Sequence, residues 1–243
     1  ITLRALRVLR NADLIACEDT RTSSVLLRRY HITAPLVPFH LHNERECLPR
    51  LMGALRVGKS VAVVSDAGTP GVSDPGWILL RSALDEGIEA DVLPGPSALL
   101  PALLLSGLTP HPFLFLGFPP EKPGARGELF QSLRGVPWTL CFYISPHKAE
   151  RQIAEMAEAW GDRRAALVRE ISKVYQESIR SPLSGLLSRL KQGLRGEMVL
   201  VVEGHVPGDE GEDAWKAEAD ALHAGGATVR SAVEAIVARH PVA

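Results

Sequence analysis

Directly after the apolar run Val61–Ser65 comes the stretch Ser65-Asp66-Ala67-Gly68-Thr69-Pro70-Gly71-Val72-Ser73-Asp74-Pro75-Gly76, twelve residues rich in Gly, Pro and Asp. Glycine lets a backbone come close to a bound molecule, and Pro75 suits the first turn of a following helix. Pro94-Gly95-Pro96-Ser97-Ala98 repeats the arrangement after Glu89–Leu93, with Ser97 placed to cap the next helix. The chemistry such loops perform is binding, because ligands of open α/β sheets lie outside the carboxyl ends of the strands. An ordinary strand-to-helix turn explains either loop alone. Two of them at consecutive strand ends point to a shared pocket.

A third Gly-containing stretch, Gly53-Ala54-Leu55-Arg56-Val57-Gly58-Lys59-Ser60, matches the phosphate-binding pattern G-x-x-x-x-G-K-[ST] letter for letter. That loop works only with a strand before it and a helix after it, so that backbone N–H groups and the helix N-terminus face the phosphates. Here an amphipathic helix leads in and the strand Val61–Ser65 leads out. Gly58-Lys59 reads as a helix C-cap, and an NTP-binding module loses its main support. His40 and His42, two apart, could share one face of an extended segment. A metal would want a third ligand, so substrate or RNA contact is the better reading, an ordinary surface cluster stands beside it, and no metal site is expected. Arg21, Arg28, Arg29, Tyr30 and His31 form the densest basic and aromatic stretch of the first half, suited to phosphate or simply to a wet helix end. Cys17, Cys47 and Cys141 follow no CxxC spacing, which argues for a reducing compartment rather than disulfides, and Cys17 and Cys141, within apolar runs, read as small core hydrophobes.

The elements that must position these loops follow from periodicity. Strands are expected at Ala12–Cys17, Val61–Ser65 and Glu89–Leu93. Helices are expected at about Thr22–Arg29, Leu48–Val57 (with Pro49 in its first turn), Pro75–Glu86 and Ser97–Leu105. Alternation of this kind implies right-handed crossovers in a doubly wound parallel sheet. Past Thr109-Pro110-His111-Pro112, strands at Phe113–Phe118, Thr139–Ile144, Ala165–Arg169 and Met198–Val202 alternate with helices at Gly127–Arg134, Pro146–Trp160 and Pro182–Lys191. The organisation expected is an α/β domain over 1–110, a second α/β domain with a mixed sheet over 111–204, and an acidic linker (Pro207–Asp213) with two short helical patterns over 205–243. The 243 residues are 46% hydrophobic and carry a formal net charge of −1, so a buried core is affordable and any RNA contact must rest on a local patch. The most apolar region, Val92–Phe118, holds Pro94, Pro96, Pro101, Pro110 and Pro112, a density of breakers that excludes a membrane-spanning helix there.

Several segments, in order, resemble the tetrapyrrole-methylase family and within it the rRNA-modifying branch. They are Ala16-Cys17-Glu18-Asp19-Thr20-Arg21, His40-Leu41-His42-Asn43-Glu44, Val64–Pro70, Leu93–Pro96, Tyr143-Ile144-Ser145-Pro146-His147, Arg169-Glu170-Ile171-Ser172-Lys173 and Arg195–Gly204. The resemblance covers roughly residues 1–204 and implies two α/β domains with a cofactor cleft between them. It implies S-adenosyl-L-methionine as cofactor, held by Ser65, Asp66, Ala67, Gly68, Thr69 and Pro70 and by Pro94, Gly95, Pro96, Ser97 and Ala98. On the other side it implies backbone near Tyr143, Glu170, Ile171, Glu197 and Met198. The activity implied is 2'-O-methylation of a decoding-site cytidine of 16S rRNA in the small ribosomal subunit, by a cytoplasmic homodimer. A tetrapyrrole (precorrin-type) C-methyltransferase is the alternative in the same fold, disfavoured by the Glu-Asp-Thr-Arg and His-x-His-Asn-Glu segments. A hydroxyl is a weak nucleophile, so a general base or a charge-stabilising lysine should help, and Glu18, Asp19, Glu170 and Lys173 are the candidates. Plainer roles stand beside these: N-capping for Glu18-Asp19, a solvated charge for Lys173. Proteins of this resemblance open with a strand and a Pro-Thr-Pro-Ile-Gly-Asn-like loop. Ile1 already lies in a helical pattern, so the expectation is that such a segment precedes it, and that a chain lacking it binds the donor poorly.

Overall fold

A computed structural model describes residues 1–206, 220–225 and 228–239. The chain divides into two compact units, one of residues 1–105 with 171–173 and the other of the remainder. In the first unit the order is α1 (Leu3–Asn11), β1 (Leu14–Cys17), α2 (Thr20–Arg29), β2 (Leu36–Pro38), α3 (Glu44–Arg56), β3 (Val61–Val64), α4 (Trp77–Asp85) and α5 (Leu99–Ser106), the last ending at the division. The strands form an all-parallel sheet in the order β2-β1-β3. Successive strand residues point to opposite faces, and both faces are covered. Ile15 and Cys17 pack with Leu6 and Leu9 of α1 and Leu27 of α2. Ala16 and Val37 pack with Leu51 and Met52 of α3 and Leu79 and Ala83 of α4. This is the doubly wound arrangement that the alternation of strands and helices implies.

Glu89–Leu93 is a correction. It pairs with no strand, and Val92 is 60% exposed. An apolar run becomes a strand only where a neighbour can take its backbone groups, and β3, the edge of the sheet on that side, pairs with β1 alone among the described residues. Helix α3 begins four residues before the expected start, which puts Pro49 inside it rather than in its first turn. Asp19 caps α2, whose start moves to Thr20.

The second unit continues with β4 (Phe113–Phe115), α6 (Pro123–Ser132), β5 (Thr139–Ile144), α7 (Ala149–Trp160), β6 (Arg164–Arg169), β7 (Glu177–Pro182), α8 (Leu183–Leu190) and β8 (Met198–Val202). Its sheet is mixed, in the order β4-β5-β8-β6-β7, with β4 and β5 parallel and the other pairs antiparallel. Phe130 of α6, Ile153 and Met156 of α7, and Leu183 and Leu186 of α8 close over Leu140, Phe142, Leu167 and Leu200 in one core. All five residues of β8 are buried. Strand β7 was not expected from the sequence, and neither was β2. The acidic linker Pro207–Asp213 lies outside the described residues; residues 220–224 and Val229–Arg239 are helical. No helix among the described residues is long and apolar enough to cross a membrane.

Candidate functional site

Because β1, β2 and β3 are parallel, the residues leaving their carboxyl ends gather on one edge of the first unit. The Phe39 amide donates to the Cys17 carbonyl (2.8 Å) and the Glu18 amide to the Val64 carbonyl (3.3 Å). Glu18, His40 and the Ser65–Gly76 loop therefore start side by side. The Asp66 amide donates to Glu18 Oε2 at 3.4 Å, and Ser65 Oγ donates to the Ala67 carbonyl at 2.8 Å. The loop doubles back through Gly68 (φ 68°) and Gly71 (φ 83°), left-handed conformations that cost a glycine little, and the Gly71 amide donates to the Pro75 carbonyl. Thr69 Oγ1 donates to the Pro96 carbonyl at 3.4 Å, so the structure brings the Ser65–Pro70 and Pro94–Ala98 loops together. Asp66, Ala67, Pro94, Gly95 and Pro96 stay exposed, which leaves their backbone groups open to a ligand. Two details of the expected caps change. The first carbonyl of α5 belongs to Ala98, which accepts from the Ala102 amide, so Ser97 stands ahead of the cap. Gly76 caps α4, and Pro75 lies outside the helix because its carbonyl is used to close the loop.

The far end of this loop is pinned by Glu44, which the sequence offers only as the last residue of the His40–Glu44 segment, with no role of its own. Glu44, only 6% exposed, accepts the Gly76 amide on Oε1 at 2.7 Å. A glutamate in the first turn of a helix reads as a solvated complement to the helix dipole, and nothing but its burial reveals the second role. His40 and Asn43 arrange the approach to it. Asn43 Oδ1 accepts the His40 amide at 2.7 Å, and Asn43 Nδ2 donates to the Pro38 carbonyl. The rings of His40 and His42 meet edge to face at 6.1 Å. The Asp19 carboxylate accepts the Arg21 amide (2.8 Å) and the Arg21 guanidinium (2.7 Å), and these bonds hold its pKa down at about 2. Burial raises the Cys17 thiol pKa and lifts that of Cys141 to about 12, so both stay protonated within their strands.

The Gly53–Ser60 octet spans the end of α3 and the turn into β3. The Gly58 and Lys59 amides donate back to the Leu55 and Ala54 carbonyls, with Gly58 at φ 82°. These bonds belong to a helix C-cap, and no strand precedes them.

In the second unit the ends of β5 and β6 and the start of β8 meet. Met198 is registered with both Ile144 and Arg169. The Glu170 amide donates to the Glu197 carbonyl (3.0 Å), and Glu170 Oε1 accepts the Glu197 amide (2.9 Å). This reciprocal clasp puts Glu170 at φ 51° and requires a glycine at 196, where a Cβ would lie 2.4 Å from Glu170 Oε1. Tyr143, Glu170, Glu197 and Met198 thus share one sheet end, while Ile171 and the exposed Lys173 group with the first unit. The Tyr143 amide donates to the Gly117 carbonyl, and its ring packs against Phe115 (4.9 Å) and Phe118 (5.5 Å).

Beside Phe118 lies a hollow of about 240 Å³, lined by Phe118, Pro119, Glu121, Ser145, Lys148 and Gln152. Its rim is braced by an ion pair between Lys148 and Glu121 and, behind it, by Arg126. Fully buried, Arg126 binds the Glu155 carboxylate and the Pro120 and Glu121 carbonyls. The sequence reading passed over Gln152, yet it carried a signal: Ala149, Gln152, Ile153, Met156 and Trp160 form the buried stripe of α7, with a polar residue in the second place. A larger hollow, about 420 Å³, lies along α1 between Leu3 and Asn11 and touches none of these residues.

The model of the Tetrapyrrole (Corrin/Porphyrin) Methylases matches residues 1–187. A protein of Mesorhizobium japonicum named ribosomal RNA small subunit methyltransferase I is 46% identical over 205 residues, covering 83% of this chain and 70% of the relative. One of the same name from Streptococcus pyogenes serotype M3 is 41% identical over 84% of this chain and 71% of its own length. Among solved structures, diphthine synthase matches with a TM-score of 0.64 at 17% identity, covering 84% of this chain and 86% of that one. Uroporphyrin-III-C-methyltransferase from Thermus thermophilus matches with 0.60 at 22% identity, covering 84% and 87%. With a doubly wound unit, a mixed-sheet unit and strand-end loops of this make-up, the chain belongs to the tetrapyrrole (corrin/porphyrin) methylase family.

Proposed function

We propose that this methyltransferase moves a methyl group from S-adenosyl-L-methionine to the 2'-oxygen of a decoding-site cytidine in 16S rRNA of the small ribosomal subunit. The observation that carries this reading is the likeness, at 46% identity, to a protein named ribosomal RNA small subunit methyltransferase I. The geometry supports it with a cradle suited to the donor. Ser65–Pro70 and Pro94–Ala98 are tied by Thr69 and offer exposed backbone without bulky side chains. Tyr143, Glu170, Ile171, Glu197 and Met198 supply the remaining contacts to the donor. When bound, the donor supplies a methyl already activated on a sulfonium sulfur. What the chain must add is position and a place for one proton. The chain would hold the 2'-oxygen in line with that methyl group and give the 2'-hydroxyl proton a base to pass to.

Among the candidates, Asp19 is the weakest base, since its carboxylate is occupied by the α2 cap and by Arg21 and titrates at about 2. Glu170 gives one oxygen to the Glu197 amide. Glu18, which accepts the Asp66 amide at a long 3.4 Å, is the carboxylate we assign first, and Lys173 the residue that steadies developing charge. An enzyme with this substrate works in the cytoplasm, and we infer a homodimer from the family, which sedimentation would read. The test compares Glu18→Gln with Asp19→Asn in methyl transfer to 30S subunits. A fall of 10²–10⁴ in kcat is expected for the first, the usual worth of a general base, and under tenfold for the second. Equal, small losses in both would remove Glu18 from the reaction.

A further inference from the structure

The helices on the two faces of the first sheet differ in charge. Helices α1 and α2, which pack on Ile15 and Cys17, hold six arginines and no aspartate or glutamate. Helices α3 and α4, on the opposite face, hold four arginines and three carboxylates. Ion pairs sharpen the difference. Arg56 and Arg81 meet Glu86 and Asp85, and at the N-terminal ends of α1 and α2 Arg4 meets Asp91 and Arg21 meets Asp19. Arg7, Arg10, Arg28 and Arg29 are all exposed, and none meets a carboxylate among the described residues. Arg10 Nη2 donates to the Tyr30 carbonyl at 3.4 Å, so the C-terminal ends of the two helices lie together. Arg7 stands one turn before Arg10 and borders with it the hollow of about 420 Å³ along α1. The helix dipole favours cations in a last turn, which covers Arg10, Arg28 and Arg29, but not Arg7 in mid-helix or a face bare of carboxylates. A chain of net charge −1 that keeps four unneutralised guanidinium groups together concentrates its positive field there.

We propose that the α1–α2 face docks the phosphodiester backbone of the RNA, with Arg7, Arg10, Arg28 and Arg29 each taking a phosphate. A guanidinium group binds phosphate through two parallel N–H bonds and keeps its charge at any working pH. Phosphate contacts fix the position of a nucleic acid and carry no sequence information. This face therefore holds the RNA, and selection of the nucleotide is left to the strand-end loops. Helix α2 leads from Asp19 to Arg29, about 15 Å at 1.5 Å per residue, so an RNA held there reaches those loops. The inference rests on the rRNA reading for the identity of the RNA. The basic face follows from the helices themselves. An anionic bilayer is the other polyanion that arginines attract. A helix that settles into a bilayer needs a free apolar side, whereas Leu6 and Leu9 of α1 are 8% and 6% exposed and packed on the sheet.

Binding of the labelled full chain to 30S subunits and to an unrelated RNA hairpin, without methyl donor, is followed by fluorescence anisotropy from about 50 to 200 mM KCl. Each phosphate contact contributes roughly 1 to the slope of log Kd on log salt. Arg7→Gln with Arg10→Gln should lower that slope by about 2, and all four substitutions by about 4, on both RNAs alike. Arg56→Gln with Arg81→Gln removes as much charge as the first pair, from the opposite face, and should leave the slope unchanged. All variants should melt with the wild type, because the altered side chains are exposed. In methyl transfer the four-substitution variant should raise KM for the 30S subunit about tenfold or more, with kcat and the dissociation constant for S-adenosyl-L-methionine within about twofold. No binding to either RNA, a slope untouched by the α1–α2 substitutions, or an equal fall in the control pair would overturn the docking face. Sedimentation with phosphatidylglycerol vesicles that excess RNA does not reverse would overturn it too, by giving the face to a membrane. If the slopes change as expected but 30S subunits gain no methyl group, the docking face stands and the rRNA reading falls.

Discussion

The two sheets hold their site residues by different means. In the second unit, β5, β6 and β8 are buried almost throughout, and the site backbone is locked by strand register and by the Glu170–Glu197 clasp. In the first unit the sheet has three strands, every residue of β3 is only partly buried, and side chains such as Glu18, Glu44 and Thr69 tie the loops. The apolar neighbours Trp77 (58% exposed), Val92 (60%) and Leu104 (72%) are open to solvent. Rigidity in the second unit comes from burial, whereas in the first it comes from a few polar bonds. Loops that must admit a ligand gain from the latter arrangement, because regions with few buried contacts open at lower free energy.

The largest expected effect is in the well-buried unit. Arg126→Ala leaves the Glu155 carboxylate and two loop carbonyls without their partner and should cost about 3 kcal/mol, in the range for breaking a buried ion pair; urea unfolding reads it. Paired truncations then test the contrast directly. Val201→Ala, at a fully buried position of β8, should cost about 2–3 kcal/mol, and Val63→Ala in β3 about half that. Equal losses would break the contrast. Glu44→Ala should cost about 1.5–3 kcal/mol through the lost charged hydrogen bond to Gly76. It should also weaken donor binding by loosening the loop, and Glu44→Gln, which keeps an acceptor, should recover most of both in calorimetry. The smallest effect is electrostatic. The Asp19 pKa is depressed to about 2 by Arg21, so its stabilising contribution is present above the ordinary value of 3.8 and is lost as pH falls through about 2. Carboxyl NMR should titrate Asp19 there in the wild type and nearer the ordinary value in Arg21→Ala.

The same contrast explains what could be read from the sequence. β5 and β8 are continuous apolar runs, and their ends were legible to the residue, because a strand buried on both faces needs no particular partner to reveal it. β7 was hidden. Its residues Glu177–Pro182 are polar, and at the sheet edge Glu177 is held by Arg169 and Arg189 rather than by a core. Glu89–Leu93 failed in the opposite sense, apolar enough for a strand but without a partner for its backbone. The ligand loops were visible because Gly and Pro announce backbone geometry. Glu44 and Gln152 were not, because their meaning lies in burial, and only the apolar stripe of α7 hinted at the second.

The central claim is that the chain methylates a ribose of small-subunit RNA, and one measurement tests it most directly. Undermethylated 30S subunits are incubated with the protein and S-adenosyl-L-methionine labelled in its methyl group, and the RNA is digested to nucleosides. The account predicts that the label is recovered in 2'-O-methylcytidine from one decoding-site position of 16S rRNA. Absence of label in RNA, or label on a base carbon or nitrogen, would contradict it.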